Sequence, residues 1–434
     1  MRDIIVVSIV LAAAIATLRR PWIGVMLWTW LSIMNPHRYT YGFAYSAPLA
    51  AIAAGATLVG LLITKERESP FKGGATVALA LFTAWMTLSW LFGLDPSGDY
   101  EQWKKVIKID LMILVTLALL RTRQHILALT WVAAGSLALL GIKGGIFTLT
   151  GGGSERVWGP SGSFIEDNNE FAVALIMTIP LLRFLQLQIV SRWGRHFLSG
   201  TIILCAVAAL GSQSRGALLA ISAMVFWIWW NGEKKFAVGI LIVLIAIPLI
   251  SFMPDSWSER MSTILKYEQD GSALGRISAW WNAWNLAFHY PLGVGFYAAR
   301  PELFALYSPY PDSVHAAHSI YFQVLGNHGF VGLAIFLGIF VVTWRSAGWL
   351  RHQKFPSPDA KWCNDLGAMC QVALAGYAVG GAFLSLAYFD LPYVIMALVA
   401  LTRMWVQRQA WKTEPAFISW RQTLFGARKN SLPR

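Results

Sequence analysis

Long apolar runs separated by short polar connectors set the pattern of this chain from one end to the other. The runs 47–64, 75–93 and 236–253 contain no Asp, Glu, Lys or Arg, and each has the length that a helix needs to cross a bilayer. Further runs at 4–18, 21–35, 105–120, 125–148, 170–188, 197–212, 215–231, 318–343, 366–386 and 390–405 follow the same pattern. Strict period-2 alternation is absent, which argues against a transmembrane barrel. The pattern therefore predicts an all-α, polytopic membrane protein of about twelve spans. The short first two runs, split by "RRP", leave the count between twelve and thirteen and the side of the N-terminus open.

Composition agrees: 56% of the 434 residues are hydrophobic and only 13% are charged. The net charge of +13 does not mark a nucleic-acid partner, because of where the basic residues stand. Arg19, Arg20, Lys65, Arg67, Lys72, Arg121, Arg123, Arg192, Arg195, Lys234, Lys235, Arg345, Arg351 and Lys354 fall in every second connector. Arg408, Lys412, Arg421, Arg428 and Lys429 extend the series into the tail. This is positive-inside patterning, so these connectors and the C-terminus are expected in the cytoplasm, with membrane lipids as partners. "RRP" after the first run is no small-residue cleavage site, so no cleavable signal is expected. Cys205, Cys363 and Cys370 form neither a disulfide framework nor a metal spacing, and Cys205 reads as helix packing.

On this polarity the outer connectors are 36–46, 94–104, 149–169, a turn near 213, 254–317 and a short one near 388. The expected division is an N-terminal bundle (1–253), an outer loop domain (254–317), C-terminal membrane helices (318–405) and a basic cytoplasmic tail (406–434). More than sixty residues is too long for a bare loop, so the 254–317 connector should carry structure of its own. Outer connectors normally hold few cations, yet these hold His37, Arg38, Lys104, Lys105, Lys108, Lys143, Arg156, Arg215, Arg260, Lys266, Arg276 and Arg300. Any single lysine here is equally explained by snorkelling to headgroups. Arg215, in "GSQSRGA" between two apolar runs, is set among hydroxyls and amides that suit an anionic oxygen. Converging cations at one face suggest a lipid-anchored polyanion such as a polyprenyl diphosphate.

Within 273–296, Ile277, Trp280, Trp281, Trp284 and Phe288 repeat with helical spacing, predicting an amphipathic helix with Arg276 in its first turn. Its aromatic face suits either the membrane surface, where Trp281 would border a lipid substrate, or packing on other outer loops. Pro291 ends the helix, and Gly293 and Gly295 predict a tight turn.

"DSVHAAHSIYFQVLGNHG" places His315, His318 and His328 in one stretch. Zinc needs three or four ligands, and on a helix His328 stands about 15 Å beyond His318. Only Asp312 stands nearby in sequence as a carboxylate, so no metal is expected. His318, where the long connector enters the membrane, reads either as an interfacial residue without chemistry or as a base taking a proton from an acceptor hydroxyl. His328 reads as packing or polar glue within the span.

"SQSRGA" before a span, "YPLGVGF" in a long outer loop and "HSIYFQVLGNHG" entering the next span resemble, in that order, the O-antigen ligase and polymerase superfamily. "GSFIEDNNEFA" is similar to an earlier motif of that superfamily, matching at Asn169. "NPHRYTYGFAYSAPLA" with "RVWGPSGSFIEDNN" is similar to O-glycosylation ligases of exosortase-associated loci. The resemblance implies a metal-independent, inverting membrane glycosyltransferase of the C type, without cofactor. It implies transfer of a preassembled glycan from undecaprenyl diphosphate to a lipid A–core sugar at the periplasmic face. A protein hydroxyl or a second lipid-linked glycan would be the acceptor in an O-glycosylation ligase or a polymerase. Carried over by position, Arg215 and Arg276 would bind the diphosphate, and His318 would activate the acceptor. Lys108, Lys143, Arg38, Asn169, His315 and Trp281 would be substrate contacts. Superfamily members commonly have His-Asn where this chain has His318-Ser319, so an amide contact is lost there. A transporter of the same lipid-linked glycan would instead place its charges through the bilayer midplane, and a scaffold would leave the outer cations unexplained.

Overall fold

The computed structural model describes residues 1–232, 235–262 and 271–414. Lys234, Lys266, Arg421, Arg428, Lys429 and the Arg260 side chain lie outside the described residues. Each of the thirteen apolar runs forms a helix, and no strand occurs among the described residues. The first ten are α1 (Arg2–Arg19), α2 (Trp22–Met34), α3 (Leu49–Ile63), α4 (Gly74–Leu91), α5 (Pro96–Leu119), α6 (Arg123–Thr150), α7 (Asn168–Gln188), α8 (Arg192–Gly211), α9 (Arg215–Trp230) and α10 (Lys235–Phe252). The long connector does carry its own structure, in α11 (Asp255–Ser262), α12 (Gly271–His289) and α13 (Pro301–Tyr307). The last three apolar runs become α14 (Ile320–His352), α15 (Trp362–Gly380) and α16 (Asp390–Gln407).

Local chemistry sets several helix starts. Asp95, Thr122, Asp167, Ser191 and Ser214 each cap the helix that follows by accepting a hydrogen bond from a first-turn amide. Six helical segments among the described residues are long and apolar enough to cross a membrane: α4, α6, α7, α8, α14 and the stretch 358–383 that includes α15. The chain is thus a polytopic helical membrane protein. The six are fewer than the expected spans partly because α2, α3 and α9 have only 13, 15 and 16 residues. At 1.5 Å per residue these rise about 20–24 Å, short of a hydrocarbon core of about 30 Å.

The connectors segregate to two ends. At one end Glu68 accepts from Lys72 Nζ (2.7 Å) and Arg408 Nη1 (2.6 Å), while Arg123 reaches Gln188 and Asp359 and Arg351 reaches Asn231. At the other, Asp3 accepts from the amides of Gly42 and Ala44, and Asn168 donates to Ser212. Arg300 pairs there with Asp99 (3.0 Å) and Asp95 (3.4 Å). The alternation read from the basic connectors is therefore the alternation of the fold. It also puts the N-terminus at the end that carries residues 36–46, which hydropathy left open.

Close approach of helices depends on small residues, as expected where lipid supplies no hydrophobic drive between them. A Cβ on Gly145 of α6 would lie 2.4 Å from the Leu204 carbonyl oxygen of α8, and one on Gly141 would lie 2.5 Å from Cys205 Sγ. Cys205 is buried packing, as its setting predicts. α7, nearly all buried, runs through the centre of the core.

α14 is broken at Gly329, whose φ of 68° and ψ of −174° are open in practice to glycine alone. The break frees carbonyls that the rest of the fold satisfies. Asn327 O accepts from Val294 N (3.0 Å), Gly295 N (3.2 Å) and Ser89 Oγ (3.0 Å), and His328 O accepts from Trp85 Nε1 (2.8 Å). This explains "PLGVG": Gly293 (φ 88°) and Gly295 (φ 112°) let the turn lie against the break. His328, buried between Ser89 Oγ (3.0 Å) and Tyr388 Oη (2.8 Å), is the polar glue it reads as in sequence.

Candidate functional site

His318 lies outside the helix, two residues before α14, in a left-handed conformation (φ 42°) rarely adopted by residues with a Cβ. α12 holds the segment in place: Trp280 Nε1 donates to Ala317 O (2.7 Å), and the Trp280 ring stacks on Phe322 at 5.0 Å. The His315 ring packs over Gly275, where a Cβ would meet its Cδ2 at 2.3 Å. Arg276 follows directly. Because α12 begins at Gly271, Arg276 stands in the second turn, not the first.

Two carboxyl groups meet this segment, although only Asp312 is near it in sequence. Asp167, the N-cap of α7, accepts from the Asn169 amide (2.8 Å) and side chain (2.7 Å). It is also hydrogen-bonded to Glu170. Glu170 Oε1 stands 4.0 Å from His318 Nδ1 and accepts from Ser385 N at 3.4 Å. Burial would raise the Asp167 carboxyl, but its hydrogen bonds from Glu170 and Asn169 outweigh this and hold its pKa below the ordinary 3.8. Burial lowers the His318 pKa below 6.5, and the charges of Arg276 and His315 lower it further against the pull of Asp167. With 44% of its side chain exposed against 9% for Glu170, His318 is the accessible member of the cluster. A neutral, reachable imidazole with acidic groups behind it and a guanidinium beside it is equipped to accept a proton near a forming anion.

Arg215 opens α9, capped by Ser214 Oγ. The preceding turn is held by Asn168 Nδ2 donating to Ser212 O (2.6 Å) and by Gln213, at φ 57°, donating to Gly153 O and Ser154 O. A Cβ on Gly216 would touch Phe383, whose ring lies 6.5 Å from Trp280 on α12. The loops bearing Arg215, Arg276, Asn169 and His318 are thus joined at one end of the bundle.

The remaining site residues of the sequence analysis lie elsewhere. Arg38 and Lys108 line a cavity of about 460 Å³ with His37, Lys104, Lys105 and Asp390, and its wall includes none of His318, Arg215 or Arg276. Lys143 lies over the Tyr39 ring (5.0 Å). Trp281 is 52% exposed, because Ser278, Ala279, Asn282, Ala283 and Leu286 form the buried face of α12. Arg300 is committed to Asp95 and Asp99. Sequence reasoning passed over Asp167 and Glu170. Their signal was the run "EDNNE" at the start of an apolar helix in an outer connector. No group of three or more His, Cys, Asp or Glu side chains arranged to hold a metal ion occurs among the described residues.

Residues 1–189 match the model of a family of unknown function, and no curated protein matches the chain. Residues 200–337, which carry Arg215, Arg276 and His318, match the model described as O-antigen ligase. That match covers the segment that bears "SQSRGA", "YPLGVGF" and "HSIYFQVLGNHG", and it supports membership of the O-antigen ligase superfamily.

Proposed function

We propose that this protein is a glycan ligase that moves a preassembled glycan from undecaprenyl diphosphate to a sugar hydroxyl of lipid A–core. His318 takes the proton of the acceptor hydroxyl, whose oxygen attacks the anomeric carbon with inversion. The bond to the diphosphate breaks, and undecaprenyl diphosphate leaves with the electron pair. Arg276 and Arg215 bind the diphosphate and offset the charge that builds on it, without a metal ion. Asp167 and Glu170 stabilise the imidazolium that forms. On this reading the fold is a membrane glycosyltransferase of the C type crossing the bacterial inner membrane about twelve times. The end carrying His318 faces the periplasm and the end carrying Glu68 and Arg408 faces the cytoplasm.

The observation that carries the reading is the placement of His318 beside Arg276 and within 4.0 Å of Glu170, in the segment that matches the ligase family. The test is reconstitution of the purified protein with undecaprenyl-diphosphate glycan and lipid A–core in the presence of EDTA. Wild type should transfer glycan, and His318→Ala should lose about 10²- to 10⁴-fold in rate, the usual weight of a general base. Full activity in His318→Ala would remove the base assignment, and loss of activity in EDTA would remove the metal-free mechanism. Transfer only to a protein or to a second lipid-linked glycan would reassign the acceptor.

A further inference from the structure

The cavity walled by Arg38 and Lys108 is built from the region that matches the family of unknown function, together with the start of α16. Four basic side chains line it (Arg38, Lys104, Lys105 and Lys108) against two acidic ones (Glu101 and Asp390). Both acids are engaged within the wall: Glu101 pairs with Lys104 at 2.6 Å, and Asp390 accepts from the Ser32 hydroxyl. Arg38, Lys105 and Lys108 form no salt bridge among the described residues. Two of these three cations are steadied on rings instead. Arg38 lies over Tyr45 (4.8 Å) and Lys105 over Phe164 (3.9 Å), which orients each charge while leaving N–H groups free for an anion. Trp28, Phe164 and Phe389 add apolar faces to the wall, and the volume falls within the range of small-ligand sites.

Two loops join this cavity to the His318 cluster. Gly162, Ser163, Phe164 and Ile165 face the cavity, and Asp167, two residues on, acts on His318. Phe389 and Asp390 face it from the start of α16, and Ser385, in the loop just before that helix, donates to Glu170. The cavity and the proposed base are therefore neighbours at one end of the bundle, with different cations.

We infer that this cavity is a second anion subsite, which holds a phosphoryl group of the acceptor apart from the diphosphate clamp, a role that rests on the ligase reading above. Aromatic faces beside unpaired cations suit a phosphorylated sugar, with the ring on the apolar wall and the phosphoryl oxygens on Arg38, Lys105 and Lys108.

The test is protection of Lys108 from an amine-acetylating reagent in the full chain, read by peptide mass spectrometry. The chain is held in phosphatidylcholine nanodiscs with a hexose 6-phosphate or with the parent hexose. Lys72, which pairs with Glu68 at the opposite end, is the internal reference for an intact fold. The hexose phosphate should protect Lys108 and the hexose should not. In Arg38→Gln the concentration for half-protection should rise about tenfold, the weight of one charge-assisted hydrogen bond. Equal labelling with both sugars overturns the subsite. Protection by added phosphatidylglycerol that the hexose phosphate cannot alter assigns the cavity to lipid headgroups and overturns the acceptor role. His318→Ala should keep the protection while losing transfer. Protection without transfer in wild type would discard the ligase reading alone, and transfer without protection would discard the subsite alone.

Discussion

Replacing Gly329 by alanine probes the break in α14, on which the placement of the PLGVG turn depends. At φ 68° and ψ −174° the backbone cost to any residue with a Cβ is about 1–3 kcal/mol. The new Cβ would also lie 2.8 Å from the Pro291 carbonyl oxygen, a contact that backbone cannot relieve without moving. Moving it pulls the turn from Asn327 O, where Val294 N and Gly295 N donate at 3.0 and 3.2 Å. Each such bond is worth about 1 kcal/mol net. The expected loss is then about 3–5 kcal/mol, or roughly 10²- to 10⁴-fold in the folding equilibrium. Gly338, on the same helix with nothing within 4 Å of its virtual Cβ, is the control. There alanine should stabilise by about 0.5–1 kcal/mol through helix propensity. Both are read as shifts in SDS-induced unfolding of the purified protein in mixed micelles. A Gly329→Ala protein within about 1 kcal/mol of wild type, the centre of the distribution for ordinary substitutions, would refute this account of the break.

Removing the Arg300 guanidinium leaves Asp99, which is 4% exposed, without its cation, and Arg300→Met should destabilise by about 3 kcal/mol in the same assay. The Asp99→Asn, Arg300→Met double variant should recover part of that loss. The acid limb of the pH profile of kcat/KM should lie below 6.5, because burial and Arg276 both disfavour the imidazolium of His318 and the neutral form is the working base. Arg276→Gln should move that limb to higher pH and Asp167→Asn to lower pH. Shifts of the opposite sign would detach these groups from the base.

Much of the architecture was legible in the order of residues. Apolar run length located all thirteen core helices, because a segment that crosses lipid must satisfy its backbone internally and announces itself locally. The basic connectors gave the alternation, since Lys and Arg at every second turn mark one end of the bundle. The motifs around Arg215, Gly293 and His318 were visible as unusual polar residues in apolar surroundings. Other features depend on residues far apart in the chain. Asp167 and His318 are 151 positions apart, and nothing local to either shows that the N-cap of α7 sits behind the imidazole. That Arg38 and Lys108 line one cavity together was hidden for the same reason. A shared end of the bundle is encoded by hydropathy, but which cations face one cavity is decided by how α2, α5 and the 159–167 loop pack. The meaning of Gly329 likewise waited on tertiary structure, because the carbonyls it frees are satisfied by α4 and by a turn more than thirty residues upstream. Sequence alone determined that helices form here and how they alternate. Packing decided which side chains meet, because that contact has no local signature.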